Sequence, residues 1–265
     1  IIPDTDVSIG KGPEIERAVA RFAVDLITDE EGYTEMRVPQ TVGVEAVECM
    51  GPRNGDDYSC LRLGNDGTYF ASDPMVPLIS RLRDQTMDAA DLPVKLCALW
   101  SGLARKVNTR AEGRTSVHQM DGVELIQFVH PSDSENALEE LRRTVGRILQ
   151  ELHLPYRCML SCTGQLRFDE AKKYTFHVRS PGADQWVEVA SVSHRDSFET
   201  RRAEVRLKET DRGKTSYPHT VRGTALYVSR IVPVMLEQNQ ENDGSVFIPE
   251  AIRPYVSYDR FVTVG

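Results

Sequence analysis

Apolar residues recur at the spacing of an amphipathic helix in two stretches of the chain. In "GPEIERAVARFAVDLITDE" a single stripe contains Ile15, Val19, Phe22 and Leu26, and Pro13 precedes an acidic first turn. The segment "SENALEELRRTVGRILQELHLP" repeats this periodicity over a longer span. We therefore predict helices over residues 11–27 and 135–152.

Shorter extended segments occupy most of the remaining chain. They include "DGTYFA", "LPVKLCALWSG", "GVELIQFVHP", "YRCMLSCTG", "KKYTFHVRSP" and "WVEVASVSH", and Gly-Asn-Asp-Gly in "LRLGNDGTYF" predicts a hairpin turn. "HTVRGTALYVSRIVPVMLEQNQ" is expected to begin as a strand and pass through Gly223 into a helix, while "SFETRRAEVRLKE" suits either a helix or an edge strand. Without regular βαβ alternation, this order predicts an α+β fold with an antiparallel sheet flanked by helices, in one domain covering residues 1–265.

Composition narrows the class of protein. The 265 residues have a net charge of −8, which argues against a broad nucleic-acid footprint, and "RRAEVRLK" is interpreted as a solvated face. The sequence has no apolar run long enough to predict a membrane span. Five cysteines, an odd number, are interpreted as reduced, so we expect a cytoplasmic protein. The six histidines show no zinc spacing, and no zinc is expected.

Several blocks carry a family resemblance. "VHQMDGVELIQFVHPSDSENALEEL", "LQELHLPYRCMLSCTGQL", "HTVRGTALYVSR" and "NDGSVFIPEAIRPY" resemble the catalytic domain of seryl-tRNA synthetase, and "GYTEMRVPQ" resembles its first class II motif. The resemblance implies the class II aminoacyl-tRNA synthetase fold, a homodimer formed through the first motif, and activation of serine with ATP and Mg²⁺. The family's helical tRNA-binding arm has no counterpart before Ile1, so tRNA is not expected as a partner.

The resemblance also marks departures at the nucleotide site. The family's second-motif Arg and Glu correspond to Ala104 and Lys106, which supply neither a phosphate-binding guanidinium nor an adenine-binding carboxylate. Arg105 lies one place along, where strand alternation turns a side chain to the other face. It would substitute only if the strand register slipped.

Further nucleotide contacts are partly retained. A family Arg before Val-His-Gln corresponds to Ser116, with Arg114 two residues earlier, and the adenine-stacking aromatic corresponds to Met120. Arg230 matches the third-motif Arg that clamps ATP. The pair implied to hold Mg²⁺ corresponds to Glu188 and Ser191. Binding of ATP and Mg²⁺ is therefore expected to be weak or lost.

The amino-acid pocket implied by the resemblance is altered as well. The family's Thr-Ala-Glu segment corresponds to Asp73, Pro74 and Met75, so a carboxylate for the substrate ammonium is replaced by a thioether. Arg222 stands where the family has Asn, while Glu124 and Thr224 match pocket positions. We expect these side chains to line one cavity. That cavity should prefer a carboxylate or phosphate, unless Arg222 pairs within the protein.

Three functions remain open. The leading hypothesis is a divergent paralogue that no longer performs standard aminoacylation and acts as a binding or regulatory protein, for which another protein is a candidate partner. The second is an ATP-dependent ligase that loads an amino acid onto a carrier protein, small molecule or tRNA. The third is a true synthetase without its arm, which Ala104 and Met75 argue against.

Overall fold

The computed structural model describes residues 8–49, 60–107, 115–208 and 215–262, and only the backbone of residues 104–107 and 115–118. Within this part of the chain the helices are α1 (Lys11–Asp29), α2 (Val44–Glu48), α3 (Met75–Ser80), α4 (Ser134–Glu151), α5 (Phe198–Arg202) and α6 (Val228–Gln238). Short 3₁₀ helices lie at Ala89–Asp91, Pro131–Asp133, Thr163–Gln165 and Glu250–Tyr255.

The strands of the described residues form one large sheet and three small ones. They are β1 (Thr34–Glu35), β2 (Thr41–Gly43), β3 (Cys60–Leu63), β4 (Thr68–Ala71), β5 (Thr86–Asp88), β6 (Val94–Val107), β7 (Thr115–Val129), β8 (Tyr156–Leu160), β9 (Lys172–Ser180), β10 (Gln185–His194), β11 (Arg206–Lys208), β12 (Thr215–Ser216), β13 (His219–Tyr227), β14 (Ser245–Phe247) and β15 (Arg260–Val262). The small sheets have the orders β2-β4-β3, β12-β11-β5 and β14-β15.

The large sheet has the order β1-β6-β7-β13-β10-β9-β8. Its pairs are antiparallel except for β1, which runs parallel to β6 at one edge. Each central strand is therefore bonded on both sides by antiparallel neighbours. The predicted α+β fold, an antiparallel sheet flanked by helices, is confirmed.

The first face of this sheet carries the larger hydrophobic cluster. Helices α1, α4 and α6 cover it, and their apolar stripes meet inward-facing side chains of β7, β9, β10 and β13. On α4, Leu141, Val145 and Ile148 are fully buried. Full burial of such a side chain contributes about 1.5–3 kcal/mol. The two helices predicted from apolar periodicity are confirmed, because this stripe can be buried only against the sheet.

The second face is more polar towards its centre. A smaller cluster forms around α3 and includes Ile79, Leu96, Ile126 and Phe128. Because side chains alternate along a strand, Glu124 lies on the same face as Ile126 and Phe128. The second face therefore carries both an apolar cluster and the charged residues described below.

Two ambiguous segments are resolved by the structure. The segment after β10 forms α5 and then β11, so it contains both a short helix and a strand, but β11 is the middle strand of its small sheet and not an edge strand. Gly223 lies inside β13, and the helix begins only at Val228, which corrects the expectation that the chain changes to helix at Gly223. The predicted hairpin turn is confirmed between β3 and β4, where Gly64 and Gly67 adopt positive φ angles of 64° and 82°.

Strand β1 forms an exposed edge of the large sheet. It lies within the segment for which the resemblance implies a two-fold interface, and the homodimer stays a prediction. No helix among the described residues combines the length and the apolar character needed to cross a membrane.

The position of Gly223 leads to a first prediction. A Cβ atom there would lie 2.0 Å from the backbone oxygen of Ser191 and 2.6 Å from Cα of Val192 on the neighbouring strand. Gly223→Ala should therefore push β13 and β10 apart and lower the melting temperature by several degrees. Gly164→Ala is the matched control, because nothing lies within 4 Å of its added Cβ. Equal melting temperatures for the two variants would contradict the close strand approach.

Candidate functional site

A β-bulge aligns the two residues that match a Mg²⁺-binding pair. Residues three apart on a regular strand point to opposite faces, yet the register of β10 shifts between Glu188 and Ala190. Glu188 consequently pairs with His177, and Ser191 with Thr175, two positions apart on β9. Glu188 and Ser191 therefore share the second face of the sheet.

Ser191 belongs to a row of polar residues that crosses three strands. It pairs with Thr224 on β13, which in turn pairs with Glu124 on β7. The Thr224 hydroxyl donates a short hydrogen bond to the Glu124 carboxyl group. Both side chains are buried, so this bond lies in an environment of low dielectric, where hydrogen bonds are strengthened.

Burial is the main influence on the pKa values of the acids in and beside this row. Desolvation, reinforced by the nearby charge of Asp73, raises the pKa of Glu124 to about 8. Desolvation also raises the pKa of Asp73, although Arg222 opposes the rise. At neutral pH Glu124 is therefore mostly protonated and carries little negative charge.

Arg222 is buried beside these acids, with 7% of its surface exposed. Its Nε lies 2.7 Å from Oε1 of Glu199 on α5, and Glu199 is fully buried at 0% exposure. The other Glu199 oxygen accepts a hydrogen bond of 2.8 Å from the Thr220 hydroxyl. Burial alone would lower the pKa of Arg222, but Glu199, Asp73 and Glu124 raise it overall. Arg222 thus pairs within the protein, with a partner that sequence reasoning missed.

A second buried guanidinium extends the charged cluster. Arg195 bonds to Asp169, and its Nη2 lies 3.1 Å from Glu170 and its Nε 3.9 Å from Glu199. Burial and the proximity of Arg222 lower the pKa of Arg195 to about 9, so the group stays charged at neutral pH. Local sequence did not predict this cluster, because Asp169 and Glu170 lie 26 and 25 positions before Arg195.

Of the residues predicted to line one cavity, Asp73 borders the cleft next to α3, whose lining does not include Met75, Glu124, Arg222 or Thr224. The cleft has a volume of about 580 Å³ and is also bordered by Gln40, Trp100 and Ser101. Oδ1 of Asp73 accepts a 2.8 Å hydrogen bond from the Met75 backbone N–H, at the start of α3. Met75 itself packs in the smaller hydrophobic cluster. Substrate binding by Asp73, Met75, Glu124, Arg222 and Thr224 stays a prediction.

The predicted nucleotide positions lie mainly along β6 and β7. Their register is continuous, with Ala104 opposite His118 and Lys106 opposite Ser116. The strand register therefore does not slip in a way that would let Arg105 take the place of Ala104. The side chains of residues 104–107 and 116 lie outside the described part, as does Arg114 altogether. Half-buried Met120 pairs with Gly102. The roles assigned to these residues stay predictions.

Arg230 lies where β13 passes into α6. Its Nη1 donates a 3.1 Å hydrogen bond to the backbone oxygen of Glu188, and its guanidinium lies 4.4 Å from the centre of the Tyr227 ring. The guanidinium matched to the family's third-motif clamp is therefore next to the backbone of Glu188, one of the two residues matched to the Mg²⁺ pair. The structure brings these two predicted site residues together.

The sheet order and the polar row are those of a known class of protein, which comparison with family models identifies. The model of the tRNA synthetase class II core domain (G, H, P, S and T) matches residues 65–239. The chain belongs to this family of class II tRNA synthetase core domains, and its homologues are seryl-tRNA ligases.

Individual relatives support this assignment. Serine–tRNA ligase of Salinibacter ruber is 36% identical over 255 residues, which is 95% of this chain and 59% of that protein. The Delftia acidovorans enzyme is 38% identical over 265 residues, 94% of this chain and 60% of its own length. The chain thus spans about three fifths of these curated relatives.

Solved structures agree. Seryl-tRNA synthetase from Pyrococcus horikoshii complexed with ATP has a TM-score of 0.88 at 27% identity, covering 97% of this chain and 58% of that one. Cytoplasmic serine–tRNA ligase from Naegleria fowleri in complex with AMP has a TM-score of 0.83 at 22% identity, covering 93% of this chain and 59% of its own. The second similarity supports the fold alone.

The raised pKa of Glu124 leads to a second prediction. The unfolded carboxyl group ionises near 4.5, whereas the folded one keeps its proton up to about pH 8. The stabilisation by this group is therefore complete below pH 4.5 and is lost as pH rises through 8. Relative to Glu124→Gln, wild type should lose a few kcal/mol of unfolding free energy between pH 5 and 9, at about 1.4 kcal/mol per pKa unit.

Urea denaturation at each pH measures this difference. Glu250→Gln removes an exposed carboxyl group and controls for the chemical change itself. Parallel stability curves for wild type and Glu124→Gln would show that Glu124 ionises normally in the folded protein.

Proposed function

We propose that this chain is a seryl-tRNA synthetase-like protein that does not perform standard serine activation and acts by binding a ligand or partner. The observation that carries this proposal is the buried pair of Arg222 with Glu199. The pair puts a fixed guanidinium where the resemblance implies an uncharged Asn. It thereby changes the charge of the pocket in which an amino acid's ammonium group would lie.

The charges around Arg222 make the pocket unfavourable for an ammonium group. Glu124 is mostly protonated at neutral pH, and Met75 offers no charge. Asp73 remains as an acid beside the cleft, but its pKa is raised too. A substrate ammonium would lie near the guanidinium of Arg222, whose partner carboxylate Glu199 is already engaged, and like charges close together in a low dielectric repel strongly.

The nucleotide side of the site supports the same proposal. Ala104 and Ser116 stand at positions where the resemblance implies guanidinium groups. Loss of one group that stabilises a transition-state charge typically lowers the rate by about 10²–10³-fold. The guanidinium of Arg230 is hydrogen-bonded to the Glu188 carbonyl. We therefore propose weak or absent binding of ATP.

The alternative is an ATP-dependent ligase that activates a different amino acid. Glu188 and Ser191 favour it, because the bulge in β10 places both on one face and their oxygens are the hard ligands that Mg²⁺ takes. Glu188 and Ser191 would then hold the ion, which when bound neutralises phosphate charge.

We further propose a cytoplasmic homodimer, with the exposed β1 edge in its interface. A carrier protein or another protein suits the partner role better than tRNA. The net charge of −8 supports this choice, because tRNA is strongly anionic.

Amino-acid-dependent exchange of pyrophosphate into ATP tests the proposed function. We expect no exchange above the amino-acid-free background for any of the standard amino acids, because adenylate formation needs the missing cations. A seryl-tRNA synthetase assayed in parallel serves as the positive control. Exchange with serine would overturn the proposal, and exchange with another amino acid alone would establish the ligase instead.

A further inference from the structure

A cluster of metal-binding side chains lies away from the pocket. His194 is the last residue of β10, Asp196 is in the turn that follows, and His219 is the first residue of β13. Because neighbouring side chains of a strand point to opposite faces, His194 points away from the face of Ser193, and His219 away from the face of Thr220. Both histidines therefore lie on the first face of the sheet. Arg222 and Glu124 lie on the second face. The cluster is therefore separate from the candidate site.

Three atoms of this cluster converge on one point. Nε2 of His194 lies 3.3 Å from Nδ1 of His219 and 3.2 Å from Oδ1 of Asp196. Nδ1 of His219 lies 3.7 Å from the same carboxylate oxygen. Ligand atoms at the corners of a tetrahedron around Zn²⁺, with bonds of about 2.0–2.1 Å, are roughly 3.3–3.4 Å apart. The three separations are close to this value without any rearrangement of the backbone.

Within the cluster, hydrogen bonds join only two of the three atoms at a time. A neutral imidazole has one N–H, so a proton on Nε2 of His194 can point to His219 or to Asp196, but not to both. The Ser134 hydroxyl, 3.1 Å from Nδ1 of His219, also lies 2.9 Å from the Pro131 carbonyl and donates its hydrogen there. A cation at the centre would be coordinated by all three atoms together.

The surroundings of His194 match those of a metal-binding histidine. Its second ring nitrogen, Nδ1, lies 3.7 Å from Oε1 of Glu135 at the start of α4. The other oxygen of Glu135 is 3.0 Å from Lys172. Metal-bound histidines commonly direct the free ring N–H at a carboxylate, which fixes the tautomer and the ring orientation. Glu135 therefore stands on the side of His194 where such a carboxylate partner would be.

We propose that His194, Asp196 and His219 bind a divalent ion of the zinc class, with a water molecule as the fourth ligand. Two imidazoles and a carboxylate suit Zn²⁺. Asp196 has 57% of its side chain exposed, so an ion and its water can enter from solvent. The proposal does not depend on the proposed function of the pocket.

The ion would stiffen the segment that carries Glu199. Asp196 lies directly before Ser197 and α5, and its backbone oxygen accepts a 2.9 Å hydrogen bond from the N–H of Thr220 on β13. A metal ion bound by Asp196, His194 and His219 would link this turn to the ends of β10 and β13 more strongly than the hydrogen bond alone. We therefore expect the ion to have a structural role and to stabilise the α5 segment.

Sequence reasoning expected no zinc because the ligands are not spaced as in a zinc motif. His194 and His219 are 25 residues apart and meet only because β10 and β13 are neighbours in the sheet.

Zinc titration of the chelator-treated protein tests the proposal. Competition with a chromophoric chelator should show one tight site per chain, and the melting temperature should rise with Zn²⁺ concentration. Asp196→Asn should weaken Zn²⁺ binding at least tenfold and abolish most of the rise. Asn tolerates the left-handed backbone of Asp196, where φ is 47°. Asp84→Asn is the matched control, because Asp84 is also exposed with a positive φ of 57°.

A second variant and a spectroscopic probe remove two ambiguities. If Asp196→Asn does not fold, as judged by circular dichroism, His219→Gln provides the same comparison. Co²⁺ in place of Zn²⁺ should give visible d–d bands without a thiolate-to-cobalt band, because no cysteine belongs to the cluster. Equal Zn²⁺ affinity of wild type and the ligand variants would overturn the proposal, as would a thiolate band or no binding by wild type.

Discussion

Arg222 lies buried in the middle of the large sheet, and its charge must be balanced within the protein. An unpaired buried cation costs several kcal/mol, so the chain around it supplies acids. Glu199 approaches from α5 at 2.7 Å, and Asp73 contributes from the β4–α3 junction. The position of α5 and the charge of the pocket both depend on this requirement.

The sheet separates this charged region from the main core. One face is covered by three helices and holds mostly apolar side chains, while the other accommodates the polar row. Two register shifts, at Val189 in β10 and at Ala225 in β13, let consecutive strand segments present their polar residues on the same face. A regular sheet with this sequence would bury Glu188 or Ser191 against the helices.

Only the elements with a local sequence pattern could be predicted from the sequence. The helices α1 and α4 follow from local periodicity, and the turn between β3 and β4 from its glycines. The bulge that brings Glu188 and Ser191 together leaves no local signal. The burial of Glu199 could not be predicted from its own segment, because it depends on a partner 23 positions further along the chain.

The same limit applies to the functional interpretation. The family resemblance predicted that Arg222 lies in a pocket. Whether its charge is free or paired depends on α5, which none of the family motifs includes. The paired state favours a pocket that has lost its preference for an ammonium group. The Arg222–Glu199 pair is therefore the central claim about this site.

A double-mutant cycle tests this claim most directly. The unfolding free energies of wild type, Arg222→Met, Glu199→Gln and the double variant give the coupling between the two side chains. Each single variant leaves a buried polar group without its partner and should lose about 3–5 kcal/mol. The account predicts that the double variant loses less than the sum of the two, with a coupling of about 1–3 kcal/mol. Additive losses, to within about 0.5 kcal/mol, would contradict the pairing.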